Sequence, residues 1–434
     1  MDKRIYIIIC GLLNLLPLAG KAQQETGLYF MPRAMQNIQV NPAFMQEKTV
    51  SIGLPSIYFH ALHSGFSYRD LLREVPGTDS LEVDVAGAIA SMREDNVVRT
   101  NVRADLLGVT VKVGPMQVSA SAGTRITGFV AYPRSLAQLA WEGNAGFIDQ
   151  EVSVAPEFAF SAWHEIGLGM TFRRGKFQAG IRGKYLVGLA DFSVSRAEAS
   201  LTTSDEIYQL QMQINYQLQS SVFDPGSLDN PDPQYEFRPF TGNNGIAGDF
   251  GLQYKMNDKL SFSASVIDLG FIKWKDQAAI HEATGTVSFE GLDVAEMLAQ
   301  DSFDISLLAD SLLAEIKMRS TDGTYQTDLP TRIYIGGTFS PIKSLRLGGV
   351  YYSEFYRGRI FNGLAVSASK DLGKILTAGI TYSIQDRRFD NLGVNLLLKL
   401  GPVLLYSSTD HLSSFLRPGY SREVNARIGM NVVF

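Results

Sequence analysis

Residues 207–218 read IYQLQMQINYQL. Tyr208, Leu210, Met212, Ile214, Tyr216 and Leu218 fall on one side of this stretch, and Gln209, Gln211, Gln213, Asn215 and Gln217 on the other. That is the period of a β-strand, and a helix with its period of about 3.6 would scramble the two sets. The same split follows Lys176, where Phe177, Ala179, Ile181, Tyr185, Val187 and Leu189 alternate with Gln178, Gly180, Arg182, Lys184 and Gly188. It recurs around Leu107–Val113, Leu260–Val266 and Leu376–Gln385. The chain closes on one more such strand, with Val424, Ala426, Ile428, Met430, Val432 and Phe434 on one side and Asn425, Arg427, Gly429 and Asn431 on the other.

A water-soluble sandwich also alternates, but three features count against it. The strands are joined by very short turns (Arg174-Gly175-Lys176, Asn257-Asp258-Lys259, Asp371-Leu372-Gly373-Lys374), several run past ten residues, and aromatics gather toward strand ends. Those are marks of an all-β protein closed into an antiparallel transmembrane β-barrel, which has no open edge and carries aromatic girdles at both interfaces. The small and polar faces then line a lumen. Arg182, Lys184 and Arg427 are expected to point inward, and Ile181, Tyr185 and Ile428 toward lipid, because an outward arginine near the midplane costs about 2–4 kcal/mol.

Before the first strand come two different segments. Lys3 and Arg4 precede an apolar run from Ile5 to Leu18, followed by small residues around Ala19–Ala22. This reads as a signal peptide over residues 1–22, with the mature chain starting near Gln23; the run is shorter than the roughly 20 residues of a spanning helix. The only cysteine, Cys10, lies within it, which leaves no disulfide or cysteine-metal site beyond. Residues 23–48 then contain LYFMPRAMQNIQVNPAF from Leu28 to Phe44, mixing large apolar groups with Pro32 and Pro42. Neither regular element fits this stretch, and an Asn-Pro pair favours a turn, so it is expected to be a compact plug inside the barrel of residues 49–434. Its gating residues would be Phe30, Met31, Asn41, Pro42, Ala43 and Phe44.

The strand rhythm breaks at about 70–100, 133–150, 223–244 and 291–325, which read as loops with a few short helices. Within the last of them, Asp293–Met318 repeats apolar residues at helical spacing. Such a helix could cover the barrel mouth or enter it, and an ordinary packed loop helix is the plainer reading. The net charge of −5 is mild and offers no basic footprint for nucleic acid.

Asn41-Pro42-Ala43 between a leader and the first strand resembles the NPA motif in the hatch of the long-chain fatty-acid transporter barrels. The layout is more similar to an outer-membrane barrel family of uncharacterised function from Bacteroidota, itself distantly similar to those transporters and to type IX secretion barrel components. The stretches that carry this are Leu28–Phe44, His164–Gly169 through Gly183–Leu186, Gly248–Gly251 with Asp268–Ile272, and the last strand. The resemblance implies about 14 strands (12–16) and a plugging hatch. It also implies that Phe434 acts as the terminal aromatic signal read by barrel-assembly machinery. A matching fatty-acid site is not identifiable.

No H-E-x-x-H, Walker, G-x-S-x-G or EF-hand pattern occurs among or around His60, His63, His164, His281 and His411. Asp410-His411 near Ser413 and Ser414 is the nearest approach to a triad, and adjacent residues of one strand would point to opposite faces. The reading is of a non-enzyme without cofactor or metal. The function it favours is passive transport of a hydrophobic or amphipathic small molecule across the outer membrane; the alternative is a non-transporting barrel that anchors a secretion or cell-surface assembly. Expected partners are outer-membrane lipid, the assembly machinery, a hydrophobic ligand, or a surface or secretion protein.

Overall fold

The computed structural model describes residues 25–75, 77–78, 80–205, 209–221, 239–289, 317–385 and 388–434 of the chain. Alternation is realised as a closed ring of 14 antiparallel strands. They are β1 (Val50–His63), β2 (Asp95–Val113), β3 (Met116–Pro133), β4 (Glu157–Arg174), β5 (Phe177–Thr203), β6 (Asn244–Lys255) and β7 (Leu260–Trp274). The second half comprises β8 (Thr331–Ile342), β9 (Leu345–Tyr356), β10 (Arg359–Leu372), β11 (Leu376–Gln385), β12 (Arg388–Leu400), β13 (Val403–Thr409) and β14 (Glu423–Val433). Each pairs with the next in sequence, and β14 returns to β1 from Ser51↔Val433 to Leu62↔Glu423, so no edge is left open.

The period-two residues sort as the pleat requires. On β5, Ile181 and Tyr185 are 54% and 47% exposed on the outside, while Arg182 and Lys184 between them are buried. Outward apolar residues continue around the ring, among them Ile57, Ile166, Phe250, Ile335, Ile380 and Ile428. No helix among the described residues is long and apolar enough to cross a membrane. The two ends of the ring differ. One carries turns of a few residues, such as the Gly175 turn, where φ of 59° calls for glycine. The other carries the long connections, with short helices α1 (Tyr68–Leu71), α2 (Val85–Ser91), α3 (Arg134–Glu142) and α4 (Leu412–Leu416).

Three sequence expectations are revised here. The stretch with the cleanest alternation forms a strand, Leu210–Ser220, outside the ring: it pairs with the overhanging half of β5 and with Ala279–Phe289, which in turn pairs with Lys317–Asp322. Alternation records two unlike faces and is silent on which neighbour supplies the ladder. The loop expected over 70–100 ends at Asp95, because Asn96–Thr100 joins β2 with Arg99 turned inward onto Glu354. Asp410 and His411 do not continue a strand, since α4 follows directly. The helical spacing at Asp293–Met318 lies outside the described residues, apart from Lys317 and Met318, which are extended.

Candidate functional site: the filled lumen

Residues 25–46 run inside the ring. Two short 3-10 turns, Gly27–Phe30 and Met35–Gln39, carry the chain, and every residue of both is buried. The irregular backbone follows from the sequence: Pro32 and Pro42 lack the donor a regular element needs, and side chains satisfy the main chain instead. Leu28, Tyr29, Phe30, Met31, Ala34 and Val40 pack against inward residues of the wall, including Tyr334, Val350, Tyr352, Leu397, Leu404 and Tyr406. Burying each large side chain contributes roughly 1.5–3 kcal/mol. Phe44 packs edge-on against Tyr29 at 5.5 Å, and the Tyr29 hydroxyl hydrogen-bonds Ser263 at 2.7 Å.

The Asn41-Pro42-Ala43 turn sits on the wall itself. The Asn41 amide donates to the carbonyls of Leu252 and Ala264, both at 3.3 Å, and its own oxygen accepts from the Ala43 N–H at 2.8 Å. The Pro42 carbonyl accepts from the Thr171 hydroxyl at 2.6 Å. This approach needs bare backbone opposite. Gly180 of β5 and Gly251 of β6 are cross-strand partners, and a Cβ on either would overlap Pro42 or Asn41. Gly53 and Gly108 make room for Met35 in the same way, and Gly348 for Phe30.

Alongside the plug the wall carries a belt of charge. Arg427 of β14 pairs with Glu25 of the plug and, at 3.0 Å, with Asp105 of β2. Asp105 also accepts from Arg103 at 2.9 Å, from the Gln39 amide at 2.9 Å and from Ser56 at 2.8 Å. Arg103 continues to Glu165 at 3.3 Å, and Glu165 to Arg182 at 3.0 Å. Arg182 reaches Asp249 at 3.5 Å, Lys184 reaches Asp249 at 2.7 Å, and Lys184 and Arg332 both meet Asp268. Arg125 bonds Asp268 at 2.6 Å. Six cations thus face five carboxylates, an almost neutral set in which every charge has a partner, and that pairing is what makes such burial sustainable. Asp268 holds its place with φ of 60°, where the β7–β8 ladder ends at Ile267↔Arg332.

The long-loop end is filled by apolar side chains, with Trp163, Leu186, Ile272, Trp274 and Tyr325 in one cluster and Leu62, Val97, Phe129 and Phe361 in another. The β9–β10 hairpin tip leans across it, Arg357 donating to Glu157 at 2.8 Å and Arg359 pairing with Asp95.

The residues singled out from sequence are placed as follows. Phe30, Met31, Asn41, Pro42 and Ala43 are buried inside the ring and Phe44 is half-buried. Arg182, Lys184 and Arg427 point inward, all three within the belt. Phe434 is 61% exposed, and its main chain exchanges hydrogen bonds with Val50. Asp410, His411 and Ser414 form no relay: Asp410 accepts from Thr26, His411 meets Glu423 at 3.2 Å, and the Ser414 hydroxyl donates to the His411 carbonyl. His60 shares Glu423, at 2.9 Å. Sequence reasoning passed over Glu25, Arg103, Asp105, Arg125, Glu165, Asp249, Asp268 and Arg332. Apart from Glu25, which precedes the strands, their signal is a charge on the small-residue side of an alternating strand, a position with nowhere to turn but inward.

A family profile described as "Family of unknown function (DUF5723)" matches residues 42–410. No protein of curated function matches the sequence. Similar solved structures include a Pseudomonas aeruginosa FadL homologue (12% identity, 96% of this chain and 99% of that one, TM-score 0.43). The Pseudomonas putida toluene transporter TodX shares 8% identity over 96% and 94% of the chains, with a TM-score of 0.35. The translocator domain of the autotransporter NalP from Neisseria meningitidis shares 8% over 90% of each, with a TM-score of 0.32. The barrel assignment rests on the strand ladder of the chain itself.

Proposed function

The chain belongs to DUF5723, a family of unknown function, and we propose that it is an outer-membrane barrel for passive transport of a hydrophobic or amphipathic small molecule. In this reading residues 28–44 occlude the lumen, and a shift of that segment, or a lateral opening, admits the ligand. The observation that carries the proposal is the content of the lumen: the ring encloses a segment of its own chain whose apolar groups pack on apolar wall side chains. Such contacts can be exchanged for those of an apolar cargo without stranding a polar group. The outward apolar face fits lipid, and Phe434, at the end of the closing strand, is proposed as the signal for the assembly machinery.

Deleting residues 28–44, with the leader retained, should leave a folded barrel whose single-channel conductance in a planar bilayer exceeds that of the intact protein. A variant that inserts normally and conducts no more than the parent would refute the plug. Phe434→Asp should lower membrane insertion more than export, measured by fractionation; equal insertion of variant and parent counts against the terminal signal.

A second reading, an anchor for a secretion or surface assembly that passes nothing, is favoured by the belt. Its ion pairs join wall to wall through Arg103, Glu165 and Arg182 and do not depend on the plug. Unchanged conductance after plug deletion would put this reading ahead.

A further inference from the structure

Positive charge concentrates at the short-turn end of the ring, and most of it faces the lumen. Lys112, Arg173, Lys255, Arg346 and Lys399 stand at strand ends on the same side of the pleat as the buried wall residues, and Lys176 lies in the turn just before β5. The contacts agree with that parity. The Lys112 ammonium donates to the carbonyls of Gln46 and Glu47, at 3.1 and 2.8 Å. Arg346 lies beside Phe30 and Arg33, with Asp371 and Glu47 also acting on it, and Lys255 is in the field of Arg173, Glu47 and Lys112, so one carboxylate faces two further cations there. Lys399 and Lys48 line a cavity of about 320 Å³ that also borders Arg33, Glu47 and Lys374. Arg33 is neutralised by Asp371 at 3.1 Å and Glu47 at 3.6 Å. Among the described residues no carboxylate makes an ion pair with Lys48, with Lys176 or with the five strand-end cations, in contrast to the belt, where every charge is matched.

We propose that this mouth is the docking surface for an acidic segment of a soluble partner protein on the short-turn side of the membrane. Like charges held together repel, and a barrel has no need of them for its own closure, so the cluster is complementary to something negative that arrives from water. Its direction decides the class of partner. The strand-end side chains stand on the lumen side of the pleat, opposite the lipid-facing side, and so favour a polypeptide entering the mouth over the surrounding lipid. Docking there would bear on residues 46–48, the passage from plug to β1, which lie among these cations. The proposal uses the membrane orientation of the preceding reading but not its transport step.

The test uses the intact protein in nanodiscs of neutral lipid and a fluorescent 20-residue poly-glutamate peptide as probe. Binding is expected at physiological salt and should weaken as salt rises. The triple variant Lys48→Glu/Lys255→Glu/Lys399→Glu should lower the affinity by about tenfold or more. The variant Arg174→Glu/Lys343→Glu/Lys370→Glu carries the same change of charge on exposed positions outside the mouth and should stay within about threefold of the parent. Equal losses in both variants, or no binding at physiological salt, would overturn the proposal. Two further outcomes would do the same: displacement of the peptide by millimolar inorganic phosphate, which would mark a small-anion vestibule, and displacement by vesicles of phosphatidylglycerol, which would mark a lipid site. If the triple variant fails to assemble, Lys48→Gln alone, at an exposed plug residue, should still weaken binding measurably, and an unchanged affinity would count against the mouth.

Discussion

The plug and the belt fill the same lumen by opposite means. The plug is seated by shape: Asn41 and Pro42 lie on the paired glycines Gly180 and Gly251, and Phe30 and Met31 lie among wall side chains. The belt is held by charge, and most of its members belong to the wall, with only Glu25 and Gln39 contributed by the plug. Shape contacts can be exchanged for a ligand's at small cost, whereas a buried charge that loses its partner is stranded. The difference is between a filling seated largely by contact and one held by charge, and substitutions can test each side separately.

The largest effect is expected in the belt. Asp268 receives Arg125, Lys184 and Arg332, so Asp268→Asn withdraws one negative charge from all three at once, with Lys184 keeping Asp249 at 2.7 Å and Arg125 keeping Glu165 at 3.6 Å. A loss of about 3–5 kcal/mol is expected for breaking such a buried set. It should appear as a lower midpoint in heat-modifiable gel mobility, and a variant as stable as the parent would show that the belt contributes little. Next comes the plug seat. Gly180→Val places branched carbon against the Pro42 carbonyl, and overpacking of this kind costs about 1–3 kcal/mol. The expected signature is displacement of the plug from an intact barrel: faster proteolysis near Asn41 with unchanged gel mobility. Loss of both together would mean that plug and wall are a single unit.

The smallest effect lies in the loops. Asp70 caps the Ser67 turn and accepts from Arg422 at 2.9 Å. Burial is the largest single influence and raises its pKa, but the hydrogen bonds from Ser67 and Arg422 together with the Arg422 charge outweigh it and hold the carboxyl below its ordinary value. A depressed folded pKa stabilises above the unfolded value and ceases to do so as pH falls through the folded one. Acidification should therefore loosen the contact between residues 67–70 and Arg422, read as faster amide exchange at Asp70, and Asp70→Asn should abolish that pH dependence. The group is half-buried at the loop surface and its partner charge is solvent-screened, so global stability should change little.

The strand faces were legible because a barrel wall is apolar outside and polar inside, and Phe177–Leu189 can satisfy that in only one way. The irregular, apolar character of Leu28–Phe44 was legible from its prolines and its lack of alternation. What stayed hidden depends on partners far along the chain. Leu210–Ser220 alternates as well as any ring strand, yet its neighbours are the overhang of β5 and Ala279–Phe289. Asp268 sits inside β7 at φ of 60°, and its carboxylate meets three cations from three other strands, none of them near it in sequence. The belt was written one charge at a time into separate strands, and no local pattern reveals that Arg103, Glu165 and Arg182 share a height in the ring. The docking role of the mouth was likewise invisible, since a lysine beside a turn looks the same whether it points inward or outward.

The seam between β1 and β14 has a kinetic consequence. Glu25 meets Arg427, Thr26 meets Asp410, and Gln36 accepts from Asn431 at 3.0 Å across 395 residues of chain. These are among the longest loops the sequence can close, and they bring its first described residues onto β14 and the connection that leads into it. The seam and the seating of residues 25–36 share side chains, so the order in which they form matters to both. Assembly is then a race between threading and sealing: a wall that zipped shut early would exclude the segment that belongs inside it, and Arg427 would be left buried without its Glu25 partner.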